Sequence, residues 1–138
     1  MSITLPPLSA PSEASGSAPL RAEALAVLRS LDPAGGTLFV RRVLATYLSS
    51  LERYLPEIQA AHGRGDAAAL RMVVHSLKSS SLQIGADAFG QLCAAIELEV
   101  VAQGLDSPGL EQRLQGLALQ AQGVRSVVEQ TLAAEAAR

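Results

Sequence analysis

A chain of 138 residues has room for one domain with a hydrophobic core of its own. The composition, 49% hydrophobic with only 3% aromatic residues, favours packed helices over a β-sheet. The formal net charge of -2 gives no basic surface for nucleic acid or for an anionic membrane, so neither partner is expected.

The amino-terminal segment, residues 1–19, is rich in proline and serine and is predicted to be a flexible tail or linker. Residues 20–138 are predicted to form the folded domain. It begins with a short helix from Leu20, in which apolar residues recur at three- and four-residue spacing until Asp32 and Pro33 end the pattern.

Two longer helices are predicted next. The second helix carries a long apolar stripe that contains Pro56, which should kink or split it because proline removes a backbone hydrogen bond. Asp66 is well placed as the N-cap of the third helix, and Gly85 is well placed to end that helix.

The fourth helix is expected to end at Gly104, and the fifth to begin at Ser107 and Pro108, because proline is favoured at the first helical position. One short helix followed by four longer ones with short loops predicts an all-α fold. The expected architecture is an antiparallel four-helix bundle with a short extra N-terminal helix. A monomer is expected.

The sequence also indicates where the protein is located and whether it binds a metal ion. No apolar run approaches the roughly 18 to 20 residues of a membrane span, and no secretory signal is expected at the start of the chain. Cys93 is the only cysteine, so a cytoplasmic location is expected, with Cys93 a buried, inert thiol. His62, in a turn, and His75 have no partners at the spacing of zinc ligands, and no phosphate-binding loop occurs, so no metal and no cofactor of its own is expected.

The third helix has two different faces. At 100° per residue, one arc faces the core and contains Leu70, Val73, Val74, Leu77, Ser81 and Ile84. His75 points about 150° away from the centre of that arc, on the predicted solvent side. It is accompanied there by Arg71, Lys78, Ser79 and Leu82.

Two ordinary interpretations compete with a functional role for His75. A hydrogen-bonded core histidine conflicts with the helical wheel. A solvated helix face with a chance histidine is harder to exclude, although Met72 and Leu82 project apolar groups outward beside it, as a docking surface requires.

An exposed imidazole has an abundant neutral form and is a competent phosphoryl acceptor. Lys78 at i+3 and Arg71 at i-4 can place positive charge near a phosphoryl group on the ring. A small residue such as Ser79 leaves room for another protein to approach. The expected chemistry is phosphoryl transfer, which needs mainly positioning and charge neutralisation.

The segment from His75 to Gly85, with Leu77, Lys78 and small residues between, resembles the signature of the histidine-containing phosphotransfer (HPt) family; Cys93 follows on the next helix. The resemblance implies a four-helix bundle and phosphorylation of His75 on the ring nitrogen distal to the backbone. It also implies receiver domains as partners, which would supply the divalent metal ion.

Two positions depart from the family pattern. The family usually has glycine where this chain has Ser79, although serine is still small. Some relatives have a ring-orienting glutamine at the position of Glu97, so Glu97 is a candidate for orienting the ring of His75. A solvated helix charge is the alternative for Glu97.

The predicted function is therefore that of a phosphocarrier, not an enzyme, in a His-Asp phosphorelay. His75 would accept a phosphoryl group from a receiver aspartate and pass it to a response regulator. The expected partners are receiver domains of response regulators and of hybrid sensor histidine kinases. The alternatives are a receiver-binding adaptor without phosphotransfer, and the phosphoacceptor domain of a chemotaxis-type histidine kinase.

Overall fold

The computed structural model of the chain describes residues 18–138 and contains five α-helices and no strand in that range. They are α1 (Ala22–Ser30), α2 (Leu38–Gly63), α3 (Ala67–Gln83), α4 (Asp87–Gln103) and α5 (Leu110–Ala136). The all-α prediction is confirmed. The predicted tail, residues 1–19, lies outside the described residues except for Ala18 and Pro19, so the boundary at residue 20 stays a prediction.

The four long helices form a closed bundle. Helix α2 packs against α3 and α5, and α4 packs against the same two helices, so their order around the bundle is α2, α3, α4, α5. Neighbours in sequence are joined by short loops and therefore run antiparallel. The interior is filled mainly by leucine, isoleucine and valine, with Phe89 as the largest fully buried side chain.

Both predicted ends of α3 are confirmed. The Asp66 side chain accepts a hydrogen bond of 3.0 Å from the Ala69 amide, as an N-cap does. Gly85 follows the helix with φ of +85°, and a Cβ there would lie 2.6 Å from the backbone nitrogen of Arg21. That nitrogen donates a 3.0 Å hydrogen bond to the Gly85 carbonyl, so the chain leading into α1 rests on this turn. Only glycine fits both requirements.

One expectation about a helix start was wrong, and one of the two alternatives for Pro56 is excluded. Helix α2 is not split at Pro56 but continues to Gly63. Helix α5 begins at Leu110 instead of at Ser107, because Gly109, with φ of +87°, separates Pro108 from the helix. The Ser107 hydroxyl donates to the Glu99 carboxylate of α4 and is buried, so it joins two elements instead of capping α5.

Helix α4 is more apolar than expected. The segment Asp87–Asp106 is long and apolar enough to cross a membrane by length and composition, contrary to the expectation that no run approaches that length. In the bundle, however, α4 packs between α3 and α5. Its Glu97 and Glu99 form ion pairs with residues of those two helices, so a bundle helix accounts for the segment.

Helix α1 is held to the bundle by one buried carboxylate near the end of α5. Glu135 is 2% exposed and binds the Arg29 guanidinium through both oxygens, at 3.0 and 2.5 Å. The Thr37 hydroxyl donates to the Glu135 carbonyl at 3.2 Å, so the start of α2 meets the same residue. The hydrogen bonds from Arg29 lower the pKa of Glu135 despite its burial.

We predict that Glu135→Gln lowers the free energy of unfolding by about 1–3 kcal/mol, because the ion pair is lost while Arg29 can partly rehydrate. Since the folded pKa of Glu135 lies below its ordinary value of 4.5, its contribution is complete above that value and is lost as the pH falls through the folded pKa. Urea unfolding checks both points. Glu129→Gln, at an exposed position of α5, is the control, and equal stability of the two variants contradicts the prediction.

Candidate functional site

Helix α3 presents its two faces as predicted. All six residues assigned to the core arc are buried. The side chain of His75 is 55% exposed, so the interpretation as a core histidine is wrong. The helix lies between α2 and α4 in the bundle, and this places the imidazole beside α4.

Glu97 of α4 contacts both His75 and Lys78 of α3. One carboxylate oxygen, Oε2, lies 2.8 Å from Nδ1 of His75, and the other, Oε1, accepts a 2.7 Å hydrogen bond from Nζ of Lys78. The side chain of Glu97 is only 17% exposed. A solvated helix charge does not describe this residue, since it contacts both of its polar neighbours across the helix interface.

The charge on Glu97 determines where the ring proton sits. The hydrogen bond from Lys78 lowers the pKa of Glu97 most, His75 lowers it further, and partial burial opposes both. An ionised carboxylate can only accept hydrogen bonds, so Nδ1 of His75 must carry the hydrogen. The lone pair of the neutral ring is then on Nε2, which makes no hydrogen bond to another described residue.

Lys78 is placed differently from expectation. We expected its ammonium to lie in solvent beside a phosphoryl group, but the side chain is three-quarters buried and paired with Glu97. It therefore stands on the Nδ1 side of the ring of His75, the side opposite the open Nε2. In the unphosphorylated chain, its charge acts on the imidazole through Glu97.

A buried polar contact that the sequence did not suggest joins α3 to its other neighbour. The Tyr47 hydroxyl and the Ser81 hydroxyl lie 2.8 Å apart in the core, which joins α2 to α3. A serine within a predicted core arc was the available signal, because a buried hydroxyl needs a partner. Cys93 is buried close by, and burial raises the pKa of its thiol to about 12, which agrees with an inert thiol.

The predicted docking residues surround the histidine on α3. Arg71, Met72 and Ser79 are exposed, and Leu82 is partly exposed. Leu82 also packs on α4, since a Cβ added at Gly90 would lie 2.6 Å from Cδ2 of Leu82. Leu82 is therefore both a surface residue and a helix-packing residue.

Helix α4 contributes further apolar surface that the sequence analysis missed. Leu98 and Val101 are both largely exposed on the helix that carries Glu97. A helical wheel of α4, drawn as it was for the third helix, would have found them.

His62 is remote from this surface in sequence and lies in the last turn of α2 instead of in a loop. No cluster of three metal-ligating side chains occurs within residues 18–138.

We predict that the neutral ring of His75 carries its hydrogen on Nδ1, which ¹⁵N NMR of the imidazole under mildly alkaline conditions will detect. Glu97→Ala should move the hydrogen towards Nε2, and Lys78→Met should do so partially because Glu97 loses its second partner. Glu99→Ala, at another ion-paired position of α4, is the matched control and should have no effect. An unchanged tautomer in Glu97→Ala would show that the contact does not orient the proton.

A known protein family matches most of the chain. The family model for the Hpt domain matches residues 42–135, which is more than half of the chain and includes all of α3 and α4. Searches of the curated proteins and of the solved structures gave no significant match. The matched range contains the exposed histidine and the glutamate that holds it, and the chain belongs to the Hpt domain family.

Proposed function

We propose that this chain is a phosphocarrier that takes a phosphoryl group from the aspartyl phosphate of one receiver domain and passes it to the aspartate of a second. Family membership implies histidine phosphotransfer in phosphorelays, and His75 is our candidate for the phosphoacceptor. One observation carries the assignment. The ring of His75 is exposed, its Nδ1 is held by Glu97, and its Nε2 makes no hydrogen bond to another described residue.

The phosphoryl group can be transferred without any proton leaving the site. The lone pair on Nε2 attacks phosphorus, the bond from phosphorus to the aspartyl oxygen breaks, and the receiver's carboxylate departs. The product is a phosphoimidazolium that keeps its hydrogen on Nδ1, and the Glu97 carboxylate at 2.8 Å offsets its positive charge. Attack by a second receiver's carboxylate breaks the P–N bond and restores the neutral ring.

Three charged residues have distinct proposed roles. Glu97 is a positioning residue that fixes the ring and its tautomer. Lys78 stabilises charge at the site, because its ammonium lies 2.7 Å from the Glu97 carboxylate and keeps that carboxylate ionised. Arg71 is exposed one turn before His75 and can meet an anionic group of the partner.

The proposed partners are receiver domains of hybrid sensor histidine kinases and of response regulators. Met72 and Leu82 supply apolar contact beside the ring, and Ser79 keeps the surface low. The receiver would bring the divalent metal ion that neutralises the transferring group. Because the chain is consumed and regenerated stoichiometrically, it is an intermediate and not an enzyme, and it acts as a monomer in the cytoplasm.

The two alternatives differ from this proposal in chemistry. A receiver-binding adaptor needs no defined tautomer, so the Glu97 contact favours a carrier over an adaptor. A phosphoacceptor domain of a chemotaxis-type kinase would be phosphorylated by an ATP-bound kinase domain without any receiver. The choice of phosphoryl donor separates that domain from a carrier.

We predict that His75→Gln abolishes phosphoryl acceptance from phosphorylated receiver domains, while the free energy of unfolding changes by less than about 1 kcal/mol because the ring is exposed. His62→Gln is the matched control and should accept phosphate at the wild-type rate. Radiolabel transfer and urea unfolding of the same preparations measure the two effects. Labelling of His75→Gln at the wild-type rate would overturn the assignment, and labelling only by a kinase domain with ATP would favour the chemotaxis-type alternative.

A further inference from the structure

We propose that the groove between α2 and α3 binds a segment of the same chain, residues 5–11, which lies outside the described residues. Its sequence is Leu-Pro-Pro-Leu-Ser-Ala-Pro, and we call it the tail segment. The binding of the tail segment does not depend on the proposed function. Its effect on the partner of His75 does, so different measurements test the two.

The groove has an apolar wall made by four side chains of α2 and of the end of α3: Phe39, Val43, Tyr47 and Ile84. Its volume is about 380 Å³, at the lower end of the range of about 300–1,000 Å³ that ligand pockets span, which suits a few side chains. Phe39 and Tyr47 are two of the four aromatic residues of the chain. Aromatic-lined grooves are the surfaces to which proline-rich segments bind.

The sequence of the tail segment favours an extended backbone. Proline fixes its own φ at about -65° and turns the residue before it away from helical angles, so Leu5, Pro6 and Pro7 are restricted together. A polyproline II helix has about three residues per turn, which puts Leu5, Leu8 and Pro11 on one face. Such a segment loses little conformational entropy when it binds.

The dimensions of the groove suit the two leucines. In a polyproline II helix, Leu5 and Leu8 are about 9 Å apart along the axis. The part of α2 that lines the groove extends from Phe39 to Ser50, which corresponds to about 16 Å along a helix. Both leucines therefore fit within the groove, with Pro11 near its end.

The tail can reach the groove from the point where the described residues begin. The backbone nitrogen of Arg21 donates to the Gly85 carbonyl at 3.0 Å, and Ile84 of the groove wall directly precedes Gly85. Ala18 lies in the cleft between α4 and α5. The ten residues from Ala18 back to Leu8 span about 31 Å in polyproline II conformation, whereas the bundle is two helices wide, at about 10 Å each.

The polar groups of the groove and of the tail are complementary. Proline has no N–H, so the tail segment has more hydrogen-bond acceptors than donors, and exposed Arg42, Thr46 and Gln83 supply donors at the rim. Arg42 carries the only charge of the lining, and Glu13 has the only charged side chain of residues 1–17. Arg42 lies near the start of α2, the end of the bundle at which Gly85 also lies. Glu13 therefore meets Arg42 where the tail enters the groove.

Amide chemical shifts of the full chain test the binding. Leu8→Ser removes an apolar side chain from the face that enters the groove, and Ile3→Ser, which removes an equally large side chain off that face, is the matched control. We expect Leu8→Ser to shift the amide of Thr46 and those of its neighbours in the groove, and Ile3→Ser to leave them unchanged. Groove amides that do not move in Leu8→Ser, or that move equally in both variants, overturn the proposal.

A paramagnetic label gives the position of the tail segment directly. Cys93 is buried, and burial raises the pKa of its thiol to about 12, so a thiol-reactive label attaches at Ser9→Cys instead. We expect the label to broaden the amide of Thr46, and to broaden it less when Leu8→Ser is added. Broadening at Gln120, in the cleft between α4 and α5, without broadening at Thr46 would overturn the proposal.

The effect on the partner of His75 rests on the proposed function. Ser80 lines the groove and is next to Ser79, one of the predicted docking residues. A receiver must then displace the tail segment, so we expect Leu8→Ser to bind it at least about twofold more tightly than Ile3→Ser does, because only the open form is competent. Equal affinities would contradict this effect. If no receiver phosphorylates the wild-type chain, the proposed function fails, whereas the chemical-shift result still decides the binding.

Discussion

The chemistry of the site depends on the way Glu97 divides its two carboxylate oxygens between His75 and Lys78. The lysine keeps the carboxylate ionised, the ionised carboxylate holds the hydrogen on Nδ1, and the nucleophilic lone pair is left on Nε2. An exposed imidazole on a helix without this contact would be free to rotate and to change tautomer. Glu97 therefore turns a surface histidine into an oriented one.

That contact requires a fixed alignment of α3 against α4. Gly90 leaves room for Leu82 to pack over α4, and the Gly85 turn lets the chain before α1 pack against the loop between the two helices. On the other side of α3, the hydrogen bond between Tyr47 and Ser81 joins the helix to α2. These packing contacts position α3 between its neighbours, so that residues far apart in sequence meet at the site.

Much of this arrangement could be predicted from the sequence. Periodicity identified the buried arc of α3, and from it the exposure of His75. Local capping preferences predicted the ends at Asp66 and Gly85, which are confirmed. Periodicity within one helix carries no information about the register between two helices, so the Glu97 contact entered only as one of two alternatives. For the same reason Lys78 was expected in solvent. Its partner, Glu97, belongs to α4, so its position depends on how α3 and α4 pack together.

The start of α5 illustrates a different limit. Ser107 and Pro108 form a good local start signal, but the Ser107 hydroxyl is taken by Glu99 of α4, and Gly109 has a left-handed conformation. A tertiary contact therefore outweighed a local preference. The roles of the site residues in transfer, in contrast to their positions, remain proposals that depend on chemistry with a partner.

Mapping the phosphate on the wild-type chain tests the central claim most directly. Trypsin cleaves after Arg71 and Lys78 and releases residues 72–78, in which His75 is the only histidine. After incubation with a phosphorylated receiver domain, we expect the label on this peptide, labile in acid and stable in base, as phosphohistidine is. Label on another peptide, or acid-stable label on Ser76, would contradict the account.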